Sequence, residues 1–146
     1  MLSIKKGVIY MENCMFCKIV QGEIKANIIY EDELVIVFLD IDPINKGHLL
    51  IIPRKHKLDL DELSFEESSK IMEVSKMMIR VLKKQFNLDG YSIMQNGGEF
   101  NDIGHYHMHV FPRYKKDGFG WTFGEVEDHD LSDIGKKFIK EISNTK

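Results

Sequence analysis

The spacing of apolar and polar residues changes period along the chain, and each change marks an expected element. Asn27–Glu31 and Glu33–Asp40, rich in Ile, Val, Phe and Tyr, predict two strands joined at a tight Glu31-Asp32 turn. Asp42-Pro43-Ile44-Asn45-Lys46-Gly47 holds the breakers of a loop, and His48–Pro53 follows as a third strand with a continuous apolar run. The period then becomes helical: Ile71, Val74, Met78, Leu82 and Phe86 share one face. Ser64-Phe65-Glu66-Glu67 has the form of a capping box at the start of that helix, and Gly90 is expected to end it. Tyr91–Gln95 predicts a fourth strand, and His105–Phe111 a fifth with strict alternation. A short amphipathic helix is expected over Leu131–Ile142, burying Ile134, Phe138 and Ile142. Together these predict an α+β fold, an antiparallel sheet of about five strands with one long helix and a C-terminal helix.

No repeat or low-complexity linker divides the chain, so residues 14–146 read as one domain behind an N-terminal arm, residues 1–13. Met11-Glu12-Asn13-Cys14 also reads as a natural beginning, so residues 1–10 are either an over-extended start or a genuine arm. The formal charge of −3 offers no global basic field for a nucleic acid backbone. No apolar run is long enough to span a membrane, and no secretory signal opens the chain; a cytoplasmic protein is expected. Cys14 and Cys17 form a single Cys-x-x-Cys, which in a reducing compartment points to metal binding or redox chemistry.

The fifth strand changes the picture most. Alternate side chains of an extended segment share a face about 7 Å apart. His105, His107 and His109 would therefore present three imidazoles together while Tyr106, Met108 and Val110 anchor the strand in the core. An imidazole can attack phosphorus, move protons, donate to phosphate oxygens or bind a metal. On spacing alone, nucleophile and metal ligand stand nearly balanced.

His105-Tyr106-His107-Met108-His109-Val110-Phe111, followed by Pro112-Arg113, resembles the signature of the histidine-triad family, His-φ-His-φ-His-φ-φ with φ apolar. The likeness extends through Cys14-Met15-Phe16-Cys17-Lys18-Ile19-Val20, Tyr30-Glu31-Asp32-Glu33, Phe38-Leu39-Asp40-Ile41 and Gly47-His48-Leu49-Leu50-Ile51-Ile52-Pro53-Arg54-Lys55-His56. The resemblance implies a homodimer and a nucleotide hydrolase acting on nucleoside 5′-phosphoramidates or dinucleoside polyphosphates, AMP or GMP derivatives. It implies His107 as the nucleophile that becomes transiently nucleotidylated, with His105, His109 and His48 around the phosphate. Asp40 would accept hydrogen bonds from the ribose, with Ile41 beside it, and Asn96 and Asn101 would supply amides near the phosphate. Bacterial members bind zinc at positions that correspond to Cys14, Cys17, His56 and His105, a closed and therefore structural set. The related nucleotidyl transferases carry glutamine where this chain has His109, which favours hydrolysis here.

One stretch departs from the family. Many relatives carry Gly-Gln-Ser/Thr-Val before the triad, where this chain has Phe100-Asn101-Asp102-Ile103-Gly104 after a shortened loop. Asn101 stands in for the glutamine, and Asp102 is either a new acid or a solvated turn residue. The altered loop leaves open a nucleotide-binding or scaffold protein with little turnover, and the triad alone leaves open a catalytic metal hydrolase. Trp121, after the triad, is expected either to shape the substrate pocket across a dimer interface or to pack on the surface.

Overall fold

A computed structural model describes residues 2–5, 8–127 and 130–145. Leu2–Lys5 (β1) and Val8–Met11 (β2) pair antiparallel as a ribbon of their own, Leu2 opposite Met11 and Lys5 opposite Val8. This ribbon was not among the expected elements, although Ile4, Val8, Ile9 and Tyr10 favour strands. Met1, the position on which the alternative start turns, lies outside the described residues. Met15–Val20 (α1) follows, a short helix that the periodicity did not predict. Its start is set by Cys14, whose sulfur accepts from Cys17 N at 3.4 Å.

Ile28–Glu31 (β3), Val35–Leu39 (β4), Leu49–Pro53 (β5), Gly90–Met94 (β6) and Met108–Arg113 (β7) form one antiparallel sheet in the order β3-β4-β5-β7-β6. Asp32 makes the first turn, its Oδ1 accepting from Leu34 N and Val35 N at 2.8 and 2.9 Å. The long helix α2, Phe65–Gln85, starts on the expected capping box: Glu67 N donates to Ser64 Oγ at 3.1 Å and Ser64 N to Glu67 Oε2 at 2.9 Å. It ends at Gln85, five residues before Gly90, which opens β6 instead. Phe86 thus leaves the helical register, and its ring closes over Gly47, where a Cβ would meet it at 2.7 Å. Gly47 also has φ +91°, so two constraints fix a glycine immediately before His48.

The sheet buries both faces. Val35, Val37, Leu49, Ile51, Met108 and Val110 pack with Tyr106 against Ile71, Val74, Met78 and Leu82 of α2. The alternate residues Ile36, Phe38, Leu50 and Ile52 pack against Cys14, Phe16, Cys17 and Ile19 at α1. That is why Leu49 to Ile52 is apolar throughout rather than alternating. Leu131–Asn144 (α3) forms as expected, opened by Asp130 bonding Ser132 N and Asp133 N, but it does not bury its apolar side. Phe138 and Ile142 stay exposed and Ile134 only half-buried, because no described element packs over them. No described helix is long and apolar enough to cross a membrane.

Candidate active site

The triad begins before its strand. The alternation predicted a strand from His105, yet β7 starts at Met108. Its ladder with β5 stops at Ile51–Met108. Two positions beyond, Pro53 has no N–H to offer, and its carbonyl is taken by His105 Nε2 at 3.0 Å. Tyr106 N turns instead to Lys57 O at 2.6 Å. The side-chain alternation nevertheless survives: Tyr106, Met108 and Val110 enter the α2 core, and the three histidines face away from it.

The histidines do not converge on one point. His105 is fully buried beside Cys14 and Cys17, its Nδ1 3.4 and 3.7 Å from the two sulfurs, and His56 Nδ1 lies 3.4 Å from Cys17 Sγ. Because Pro53 O can only accept, His105 carries its proton on Nε2 and turns a lone pair on Nδ1 toward the thiols. One donor atom each from Cys14, Cys17, His56 and His105 falls within 4.8 Å of the others, a separation that tetrahedral zinc can span. The hydrogen bond with Cys17 pulls the Cys14 thiol down to about 3, burial opposing and His105 assisting, and the same bond pushes Cys17 up. His56 Nε2 is buried and, among the described residues, has no hydrogen-bond partner.

His107 is also buried, and the Phe16 ring makes T-shaped contacts with both His105 and His107 at centroid distances of 5.9 and 5.4 Å. The His105 carbonyl lies 2.7 Å from His107 Nδ1, so Nδ1 donates and the lone pair is on Nε2. Gly104, at φ +65°, sets the chain direction into this turn. His48 is fixed with equal clarity: Ile44 N donates to its Nδ1 at 3.0 Å, which leaves Nε2–H to donate to His109 Nδ1 at 2.8 Å. His109 therefore offers its own Nε2–H. Burial lowers both His48 and His109, the latter to about 4, so the chain of imidazoles is neutral near pH 7. Asp40 Oδ2 lies 3.6 Å from His48 Nε2, and its Oδ1 accepts from Asp42 N at 2.9 Å. Asp40, His48 and His109 cluster closely enough to invite a metal, but both His48 nitrogens are already engaged along the hydrogen-bond chain.

These groups open into a pocket of about 420 Å³, the size of a small-molecule site. Phe16, Ile19, Ile24 and Phe38 form its apolar wall, while Asp40, His48, Asp102, His107 and His109 supply polar groups. Of the residues singled out in the sequence, Asp40, Ile41, His48, His107 and His109 line this pocket, and His105 joins the cysteine cluster. Asn96 and Asn101 lie outside the lining. Asn101 is committed to its own loop: Nδ2 donates to Leu58 O at 2.8 Å and Oδ1 accepts from Gly104 N at 3.0 Å. Asn96 is exposed, its carbonyl taking Gln95 Nε2 at 2.7 Å. Trp121 is exposed and borders a separate concavity with Ser92, Ile93, Met94, Arg113 and Phe119. Sequence reasoning missed the α1 contribution, Phe16 and Ile19, because a six-residue helix is too short to show its period.

A model of the HIT domain matches residues 21–116. A HIT-like protein from Methanocaldococcus jannaschii is 44% identical over 131 residues, 88% of this chain and 98% of that protein. An adenosine 5′-monophosphoramidase from Schizosaccharomyces pombe is 30% identical over 135 residues, 89% and 98% of the two chains. Among solved structures, a HIT family protein from Bacillus anthracis has a TM-score of 0.83 at 35% identity, covering 94% and 99%. A zinc-bound histidine triad protein from Mycobacterium smegmatis has a TM-score of 0.69 at 31% identity, covering 92% and 98%. With the triad motif, the sheet order and the matched length in agreement, the chain belongs to the histidine triad (HIT) family.

Proposed function

We propose that this protein hydrolyses nucleoside 5′-phosphoramidates or dinucleoside polyphosphates, derivatives of AMP or GMP, through a nucleotidyl-His107 intermediate. The observation that carries this reading is the 2.7 Å contact between His107 Nδ1 and the His105 carbonyl, which engages Nδ1 and leaves Nε2 as the nitrogen free to attack at the pocket. The lone pair on Nε2 forms a bond to the α-phosphorus, the P–N or P–O bond to the leaving group breaks, and the leaving atom takes a proton from water. A second water then adds to phosphorus, losing a proton to solvent as the N–P bond returns its electron pair to His107. His109 Nε2–H donates to the non-bridging oxygens, held in that tautomer by His48. Asp40 receives the ribose hydroxyls with Ile41 beside it, and the wall of Phe16, Ile19, Ile24 and Phe38 takes the base.

Cys14, Cys17, His56 and His105 would hold zinc in a closed, structural set, supported by the donor atoms within 4.8 Å. Bound there, the ion would tether α1 to the triad. Metal analysis of protein purified without added zinc tests this, and no bound zinc would reject it. A homodimer is supported by apolar side chains left uncovered within one chain, among them Phe138, Ile139 and Ile142 of α3 and Tyr91 and Ile93 of the edge strand β6. Light scattering at the monomer mass would reject it.

Rapid quenching with adenosine 5′-phosphoramidate or diadenosine tetraphosphate, followed by intact mass measurement, tests the chemistry. An adenylyl adduct on His107, absent in His107→Ala, is the expected result. No adduct and no product with either compound would leave a nucleotide-binding protein in place of an enzyme.

A further inference from the structure

Asp102 lines the same pocket as the nucleophile, with Oδ1 3.9 Å from His107 Nε2. Its side chain is 83% exposed and, among the described residues, ion-paired to no lysine or arginine. The neighbouring backbone is pinned on both sides. Gly98 N donates to Asp59 Oδ2 at 2.9 Å, and Asn101 bridges Leu58 O and Gly104 N. Asp102 is therefore carried to the rim of the pocket by a fixed loop, and its side chain is not used to hold that loop together. Its field also reaches His109, whose protonated form it favours.

A carboxylate here conflicts with a substrate whose reacting centre is an anionic phosphate. The lining already includes Asp40 and Asp42, with Lys25 as its one lysine or arginine among the described residues, so the pocket does not offset three carboxylates. Like charges a few ångströms apart disfavour binding. The conflict disappears when the substrate brings its own cation. In-line attack puts the leaving atom beyond phosphorus, roughly 5 Å from His107 Nε2, so a cation carried on a short chain from that atom can reach a carboxylate that stands 3.9 Å from the same nitrogen.

We propose that Asp102 is a specificity residue that selects leaving groups carrying a positive charge, making nucleoside phosphoramidates of diamines or basic amines the preferred class and anionic polyphosphate leaving groups the disfavoured one. This rests on the hydrolase reading above. The step itself is unchanged: the P–N bond breaks, the amine departs with a proton from water, and the second, cationic group on that amine stays paired with Asp102 until release.

Three adenosine 5′-phosphoramidates of nearly equal size test it, with N-(3-aminopropyl), N-butyl and N-(3-carboxypropyl) groups. In wild-type protein kcat/KM falls in that order, by about fivefold to tenfold per unit of charge at low salt. Raising the salt to about 0.5 M narrows the spread. Asp102→Asn brings the three values together, and Asp102→Lys reverses their order. The Asp102 side chain is exposed and, among the described residues, bonds no backbone, so both variants are expected to fold, which a melting curve checks. Wild-type values that do not follow charge, or an order that survives Asp102→Asn, would overturn the proposal. If wild type cleaves none of the three, the hydrolase reading fails separately. Calorimetric affinities of the same compounds for His107→Ala and for His107→Ala/Asp102→Asn then decide the role of Asp102 by the same order and its loss.

Discussion

His105 and His107 stand two residues apart on one side of one segment, yet they join different groups, His105 the cysteine cluster and His107 the pocket. Each meets a backbone carbonyl: Pro53 O takes His105 Nε2, and His105 O takes His107 Nδ1. A carbonyl can only accept, so the nitrogen it engages carries the proton and the other nitrogen carries the lone pair. His105 therefore aims Nδ1 at two buried thiols, and His107 keeps Nε2 for the pocket. The comparison teaches that the assignment of roles within the triad is made by the main chain around it, since residue type is the same in both. Phe16 touches both imidazoles, its ring in T-shaped contact with each.

The largest test of this division is removal of the proposed nucleophile, His107. His107→Ala should lower kcat/KM for adenosine 5′-phosphoramidate by at least about a thousandfold while leaving metal content unchanged. A variant that keeps wild-type turnover would break the comparison at its centre. On the other half, Cys17→Ser should lower metal content and the thermal midpoint, by about 10 °C if ~3 kcal/mol is lost. Its kcat, measured on folded protein at low temperature, should fall far less than that of His107→Ala. Equal losses would mean that the metal takes part in the chemistry.

Smaller effects sharpen the pocket side. His48→Phe keeps a ring against Phe111 but removes the donor to His109 Nδ1 and the acceptor for Ile44 N. A misdirected His109 should cost up to about a hundredfold in kcat, with KM changed little. The smallest effect is on pH dependence. Burial holds folded His109 at about 4, below its ordinary 6.5, so between those values the unfolded chain binds more protons than the folded one. Stability due to this group is thus intact above pH 6.5 and declines as pH falls toward 4. Denaturant melts of wild type and His109→Gln should show a shallower decline for the variant across that window. Parallel curves would contradict a neutral, buried His109.

Much of this was legible in the residues because the signals were local. The capping box at Ser64 and Glu67 formed where the four-residue pattern placed it, since its partners are three residues apart. The alternation of Tyr106, Met108 and Val110 against the histidines also held, because extended backbone alternates its side chains whether or not a ladder pairs it. What failed was decided by distant partners. His105 leaves the ladder on account of Pro53, 52 positions away in sequence. Phe86 leaves the helix to cover Gly47, and Asn101 is drawn to Leu58 rather than to the pocket. The period of α3 correctly gave a helix, but period reports which residues share a face and not what covers it.

The residues alone were enough for the five strands of the main sheet, for helices α2 and α3 and the capped start of α2, for the grouping of histidines on one side and for the family. Those follow from steric and hydrogen-bonding preferences acting over a few residues. It took the folded chain to settle which nitrogen of each histidine is engaged by a carbonyl or N–H, and to bring Asp102 within 3.9 Å of His107. An imidazole has two nearly equivalent tautomers in isolation, and the choice between them is made by whichever carbonyl or N–H the folded chain places against it.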